Sequence, residues 1–182
     1  VWWRRDPGAP YEMKEDPATS RSLVVVNGPI ASGKDAVSMA LAGQLESEGR
    51  RVAVIGLDEL WTMLDHQEPR RGDLDSWLVA RRAAATLTDL FFASGRACVI
   101  VNGPFFTPAE RAGYLDHLRT AVAPLFVTLR VSFEESLRRA QADIYPRPTS
   151  RDRAWLAQRF AASEALLPPL MATDIVIDTD GR

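Results

Sequence analysis

Five short apolar runs, separated by longer amphipathic stretches, restrict the folds open to this chain more than any other feature. They are LVVVN at 23–27, RVAVIG at 51–56, ACVIV at 97–101, LFVTLRV at 125–131 and DIVID at 174–178. Each is rich in β-branched residues and too short for a core helix, so each reads as a strand. Strands that are apolar on both faces and alternate with helices belong to a parallel sheet covered on both sides. The chain of 182 residues, 46% hydrophobic, is long enough to bury the core of one such α/β domain without staples.

The intervening stretches carry helix signals. A helix is expected over 34–48, with Gly49 in the stop position. A short helix follows Asp58, which can serve as its N-cap. A long helix over 73–95 takes Asp73 as N-cap and sets Leu74, Trp77, Leu78, Ala84, Leu87 and Phe91 on one face. Thr107-Pro108-Ala109-Glu110 reads as a capping box with proline at the first helical position, opening a helix to about Thr120. Ser132 and Glu135 open the next helix by the same device. Residues 1–21 are polar, hold three prolines and have no period, and the first residue is not Met; they are read as a flexible, trimmed arm ahead of a domain over 22–182.

Composition excludes several classes. No run approaches eighteen apolar residues, so no membrane helix is expected. The single Cys98 cannot form an internal disulfide, which fits a reducing cytoplasm. A net charge of -2 argues against binding nucleic acid through bulk electrostatics. His66 and His117 lack metal-ligand spacing, and neither a zinc pattern nor a nucleophile elbow occurs.

In parallel sheets the ligand sits beyond the carboxyl ends of the strands. Directly after the first run stands Gly28-Pro29-Ile30-Ala31-Ser32-Gly33-Lys34-Asp35, a GxxxxGK loop between strand and helix. Such a loop turns backbone N–H groups around phosphate oxygens, the helix N-terminus adds positive potential, and the lysine reaches the phosphates. Only two of the chain's 22 basic residues are lysines, Lys14 and Lys34, so a lysine kept in this loop has a chemical reason.

Two positions depart from the pattern. The eighth residue, ordinarily a Mg2+-ligating Ser or Thr, is Asp35. It reads as a carboxylate metal ligand, as a weakened nucleotide site, or as a site inactivated by substitution. Its added negative charge beside the phosphates is expected to lower Mg2+-nucleotide affinity or turnover relative to a hydroxyl. The third run is followed by Asn102, where many phosphate-loop proteins carry an acidic residue. An amide there can orient a metal-bound water, or can simply form the turn before Gly103-Pro104. VVVNGP at 24–29 and VIVNGP at 99–104 are near copies, so two strands end in the same kind of turn.

Asp58 falls at the carboxyl edge of the second strand, where a carboxylate can take the proton of an attacking hydroxyl; Glu59 and Asp65 are the alternatives. Arg138, Arg139, Arg147, Arg151, Arg153 and Arg159 form the densest basic stretch, around a proline-rich loop at 144–150 suited to a mobile lid. Two or three of them are expected to meet phosphate, since arginine binds it bidentately. Trp61, Trp77, Arg81, Phe105 and Phe106 are candidates for the acceptor, with Phe105 and Phe106 expected to face the cleft and Trp77 possible as plain core.

Residues 24–35, GLDEL at 56–60, 99–104, and LRV at 129–131 followed by Arg139 together resemble the small P-loop kinases, and within them the chloramphenicol phosphotransferase-like group. The resemblance spans about 23–178. It implies a three-layer P-loop NTPase fold with strand order 2-3-1-4-5 and an arginine-bearing lid. It implies ATP as phosphoryl donor with Mg2+, the loop residues Gly28, Ala31, Ser32, Gly33, Lys34 and Asp35 on the phosphates, and Asp58 as base. Arg139 is then near the adenine, with Arg147 or Arg151 in the lid. Such kinases carry one more helix beyond the position of Arg182, so the adenine side is expected to be incomplete. The function so implied is phosphorylation of a small-molecule hydroxyl, on an antibiotic or other natural product. A nucleoside or nucleotide-sugar kinase and a nucleotide-binding pseudokinase are the alternatives.

Overall fold

The computed structural model describes residues 21–64, 74–142 and 152–181. In chain order the elements are β1 (Ser22–Asn27), α1 (Lys34–Ser47), β2 (Val52–Gly56), α2 (Leu57–Leu64), α3 (Leu74–Ala93), β3 (Cys98–Asn102), α4 (Pro108–Leu115), β4 (Pro124–Arg130), α5 (Phe133–Ala142), α6 (Arg153–Glu164), α7 (Leu167–Met171) and β5 (Ile175–Asp178). The strands form one sheet in the order β2-β3-β1-β4-β5, and all four pairings are parallel. This is the P-loop NTPase order that the resemblance implies. The expected arm at 1–21 lies outside the described residues, apart from an exposed Arg21.

Alternation along the strands divides the core in two. Leu23, Val25, Val99 and Val101 point to the face covered by α2, α3 and α4, where Trp61, Ala84, Phe92 and Tyr114 complete the cluster. Val24, Val26, Cys98 and Ile100 point to the face of α1, against Ala42. β1 and β3 are buried on both faces, which is why they read as unbroken apolar runs.

Local signals placed most boundaries. The Thr107 capping box is complete: Glu110 N donates to Thr107 Oγ1, and the Glu110 carboxylate accepts from Thr107 N. That helix nonetheless ends at Leu115 rather than Thr120. The Asp89 carboxylate accepts the backbone N–H groups of Arg119 and Thr120 at 3.0 and 2.8 Å and turns the chain aside. The box expected at Ser132 is only half made. Glu135 N donates to Ser132 Oγ, but the Glu135 carboxylate pairs with Arg138 and Arg139, and Ser132 N donates to Asp180 instead. On α3 the buried positions are Ala80, Arg81, Ala84, Ala85, Thr88 and Phe92, about one residue off the face drawn from the large side chains. The alanines let the helix backbone approach the sheet, and Trp77, Leu87 and Phe91 close the margins.

The two copied turns are also copies in space. Gly28 and Gly103 adopt nearly equal φ angles of 156° and 155°. Asn27 and Asn102 before them fare differently, as the site makes clear.

Candidate active site

Chemistry collects where β1 turns into α1. Gly28 stands at φ 156°, and a Cβ there would lie 2.6 Å from Ser32 Oγ and 3.0 Å from Leu129 Cβ, so only glycine fits the turn. Ala31 is held at φ 55°, the one left-handed non-glycine residue among those described. Such strain persists where surrounding contacts over-determine it, commonly at ligand sites. Gly33 precedes α1 without a side-chain cap, leaving the first N–H groups of the helix open to an anion. Lys34 Nζ folds back over the loop and donates to the carbonyls of Gly28 and Pro29, 3.0 Å each.

Outer contacts keep the loop in shape. Arg139 Nη1 donates to Ala31 O at 3.4 Å and to Thr179 Oγ1, its Nη2 donates to Thr179 O, and its Nε donates to Glu135 at 2.7 Å. Thr179 Oγ1 bonds Ser32 O at 3.0 Å. Hydrogen bonds from Arg138 and then Arg139 hold the Glu135 carboxyl down at about 2, so it stays charged at any ordinary pH. Arg139 therefore braces the phosphate loop from behind.

A second network, buried beneath the loop, ties it to the sheet. Asn27 Oδ1 accepts Phe105 N at 3.0 Å, and Asn27 Nδ2 donates to Thr128 Oγ1. Thr128 in turn donates to Asp174 Oδ2 at 2.6 Å. Asp174 takes both terminal nitrogens of Arg111, at 2.6 and 3.0 Å, while Arg111 Nε bonds Phe105 O. Burial pushes the Asp174 carboxyl up, but the hydrogen bonds from Arg111, Thr128 and Thr173 outweigh it and hold the group below its ordinary range.

Beside the loop lies a cleft of about 450 Å³ at the carboxyl ends of β2 and β3. Its polar lining is Asp35, Glu59 and Asn102; the remainder is Gly56 and apolar side chains such as Val54 and Leu87. The Glu59 carboxylate folds over Gly56, where a Cβ would come within 1.7 Å of its Oε2. Asp58 lies in the first turn of α2, which begins at Leu57, so it is not the helix cap; strand and helix follow without a loop. It is half-buried and does not line this cleft.

The residues fit a nucleotide phosphate. Ser32 Oγ is fully buried without a hydrogen-bond partner, inside a loop whose lysine and open helix N-terminus both favour an anion. Asp35 and Asn102, both on the cleft beside the loop, carry oxygen donors of the kind a hard divalent cation takes.

Over residues 23–164 the chain matches the AAA domain family. It belongs to that family. Its fold is shared with small kinases of known structure. A gluconokinase from Sinorhizobium meliloti superposes with TM-score 0.58 at 20% identity, covering 88% of this chain and 84% of that one. A shikimate kinase from Bacteroides thetaiotaomicron does so with TM-score 0.60 at 17% identity and 87% coverage of each. The Deinococcus radiodurans tunicamycin resistance protein gives TM-score 0.57 at 17%, covering 88% and 87%. No curated protein matches the chain in sequence.

The structure brings Gly28 to Asp35 together as one loop but places the acceptor candidates differently from expectation. Phe105 is fully buried, edge-on to Tyr114, and Phe106 packs on Leu167 and Leu170; neither lines the described cleft, because Asn27 and Glu110 capture their backbone N–H groups and draw them into the core. Trp61 is 4% exposed and stacks on Trp77 at 5.6 Å. Arg81 is 5% exposed, bound to Glu110 at 2.8 Å and to Pro104 O at 2.9 Å. Burial pulls its guanidinium below its ordinary value against the opposing pull of Glu110. Trp61 Nε1 and Arg81 Nε remain buried donors with no partner. Asp65, His66, Arg147 and Arg151 lie outside the described residues. Reading the sequence missed Asn27, Arg111, Thr128, Asp174 and Thr179; only the repeated Asn-Gly-Pro pointed toward Asn27. Among the described residues no group of three or more His, Cys, Asp or Glu could hold a metal, and no helix is long and apolar enough to cross a membrane.

Proposed function

We propose that the protein is an ATP-dependent phosphotransferase acting on a hydroxyl of a small molecule, akin to the chloramphenicol phosphotransferase-like group, with an antibiotic or other natural product as acceptor. The observation that carries this reading is the phosphate loop itself: a buried, unpartnered Ser32 hydroxyl and a folded-back Lys34 beside an uncapped α1, at the carboxyl edge of a 2-3-1-4-5 sheet. Shared fold with a gluconokinase, a shikimate kinase and a tunicamycin resistance protein supports a small hydroxylated acceptor.

When bound, Mg2+-ATP supplies the phosphoryl group and neutralises the charge on its oxygens. Lys34 exchanges its bonds to the Gly28 and Pro29 carbonyls for phosphate oxygens, a pivot of one flexible side chain. Gly33 and Ser32 present N–H and O–H donors. Arg139 keeps the loop in this shape through Ala31 and Thr179. Asp58, just past the end of β2, orients the acceptor hydroxyl and takes its proton. Arg147 or Arg151, which lie outside the described residues, is the lid arginine in this reading, suited by its chemistry to the transferring phosphate.

The test is formation of ADP from ATP in the presence of Mg2+ and, in separate reactions, hydroxylated antibiotics, nucleosides and sugar acids, with the product's mass measured. An acceptor that gains one phosphoryl group establishes the activity and its class. Absence of transfer to every class, with ATP bound normally, would refute it.

A further inference from the structure

Asn27 and Asn102 end equivalent strands in equivalent turns, yet only one is satisfied. Asn27 is consumed by Phe105 N and Thr128. The Asn102 side chain is 95% buried by its surroundings (5% exposed), lines the cleft, and has no hydrogen-bond partner among the described residues. By strand alternation it leaves β3 on the side of Cys98 and Ile100, the side covered by α1. Asp35, in the first turn of α1, lines the same cleft and also has no partner among the described residues. Two unpartnered oxygen-bearing side chains thus line one cleft beside the phosphate loop.

Phosphate-loop NTPases hold Mg2+ with a hydroxyl on the loop helix and a carboxylate from a neighbouring strand. Here both positions differ, and the differences compensate. The helix position has gained a carboxylate, Asp35, and the strand position holds a neutral amide, Asn102. One negative charge and one neutral oxygen ligand remain, with their places exchanged.

Resting on the nucleotide reading above, we propose that Asp35 and Asn102 are an exchanged pair: the charged ligand for the divalent cation is carried on α1, and the neutral one on β3. Asp35 is then an adapted ligand rather than a defect, the reverse of what its charge alone suggests. A carboxylate on the loop helix and a second one on β3 would crowd two charges against the polyphosphate. This explains why Asn102 stays neutral even though it is buried at a carboxylate position.

The experiment measures ADP binding by calorimetry in EDTA and in Mg2+, and the Mn2+ signal by electron paramagnetic resonance with ADP present. The proteins are the parent, Asp35→Ser, Asp35→Asn and Asp35→Ser/Asn102→Asp, each checked for unchanged melting temperature. In the parent Mg2+ tightens ADP binding. Both single variants lose about tenfold or more of that tightening, the equivalent of one charge-assisted contact. The double variant, which restores the usual placement, regains it to within about threefold, because the same charge is returned to the same site. Unchanged tightening in the single variants, or a double variant no better than Asp35→Ser, would overturn the exchange. ADP bound in EDTA but untouched by Mg2+ in the parent would overturn the cation assignment alone. No ADP binding in any condition would remove the nucleotide reading as well.

Discussion

The Arg111–Asp174 pair under the phosphate loop offers the most demanding test of how this site is held. The Asp174 side chain is 1% exposed and that of Arg111 15%, with the two guanidinium contacts at 2.6 and 3.0 Å. Thr128 and Thr173 donate to the same carboxylate, at 2.6 and 3.0 Å, and the Phe126 ring lies 3.9 Å beneath the guanidinium. Asp174→Asn keeps the shape but sets an amide N–H against donors and leaves the Arg111 charge buried without its counter-ion. Breaking one partner of a buried pair costs about 3–5 kcal/mol, a large part of the roughly 5–15 kcal/mol that holds a domain together. Urea unfolding at neutral pH should show the midpoint falling by that equivalent. Arg111→Met/Asp174→Leu, which removes both charges together, should recover a good part of it. The carboxyl sits below its ordinary range in the folded state, so its stabilisation is complete above the unfolded value of about 3.9 and is lost as pH falls through the folded value. Asp174→Asn should lack that portion of the acid dependence. A loss under about 1 kcal/mol, the size of an exposed pair, or an unaltered acid limb, would refute the reasoning.

Three further outcomes are expected. Lys34→Ala should weaken ADP binding by about 1.5–3 kcal/mol, the worth of a charge-assisted contact, and equal affinity in calorimetry would exclude Lys34 as the main charged contact. Asp58→Asn should lower kcat about 10²–10⁴-fold toward whichever acceptor is phosphorylated while leaving ADP affinity intact; a parent rate would mean that Asp58 only favours the start of α2. Ala31→Gly relieves a left-handed alanine that costs roughly 1–2 kcal/mol and should leave the urea midpoint unchanged or higher, whereas Ala31→Val should lower it.

The parts legible in the sequence are those governed by neighbours along the chain. The loop at 28–35, the start of α1 at Lys34, the capping box at Thr107 and all five strands follow from turn chemistry, caps and alternation, which act within a few residues. Phe105 and Phe106 show where such reasoning stops. Two aromatic residues after a strand look like a lining for a ligand, but Asn27, 78 residues away in sequence, and Glu110 bind their N–H groups and draw both rings inward. The same holds for α4, which by pattern runs to Thr120 and is ended early by the distant Asp89.

By itself, the sequence determined that a parallel α/β sheet carries a phosphate loop at its first turn, since periodicity and glycine spacing need no knowledge of what packs where. Tertiary structure decided which acids face the cleft. Asp58 and Glu59 are adjacent in the chain, and only the immediate passage from β2 into α2 turns Glu59 over Gly56 and into the cleft. It also decided that Asn27 is bonded to its neighbours while Asn102, its near twin in sequence, lines the same cleft as Asp35 with its amide unspent. Nearly identical short segments acquire different chemistry because a side chain's partners are set by the strands and helices on either side of it, and β1 lies between β3 and β4 where β3 lies between β1 and β2.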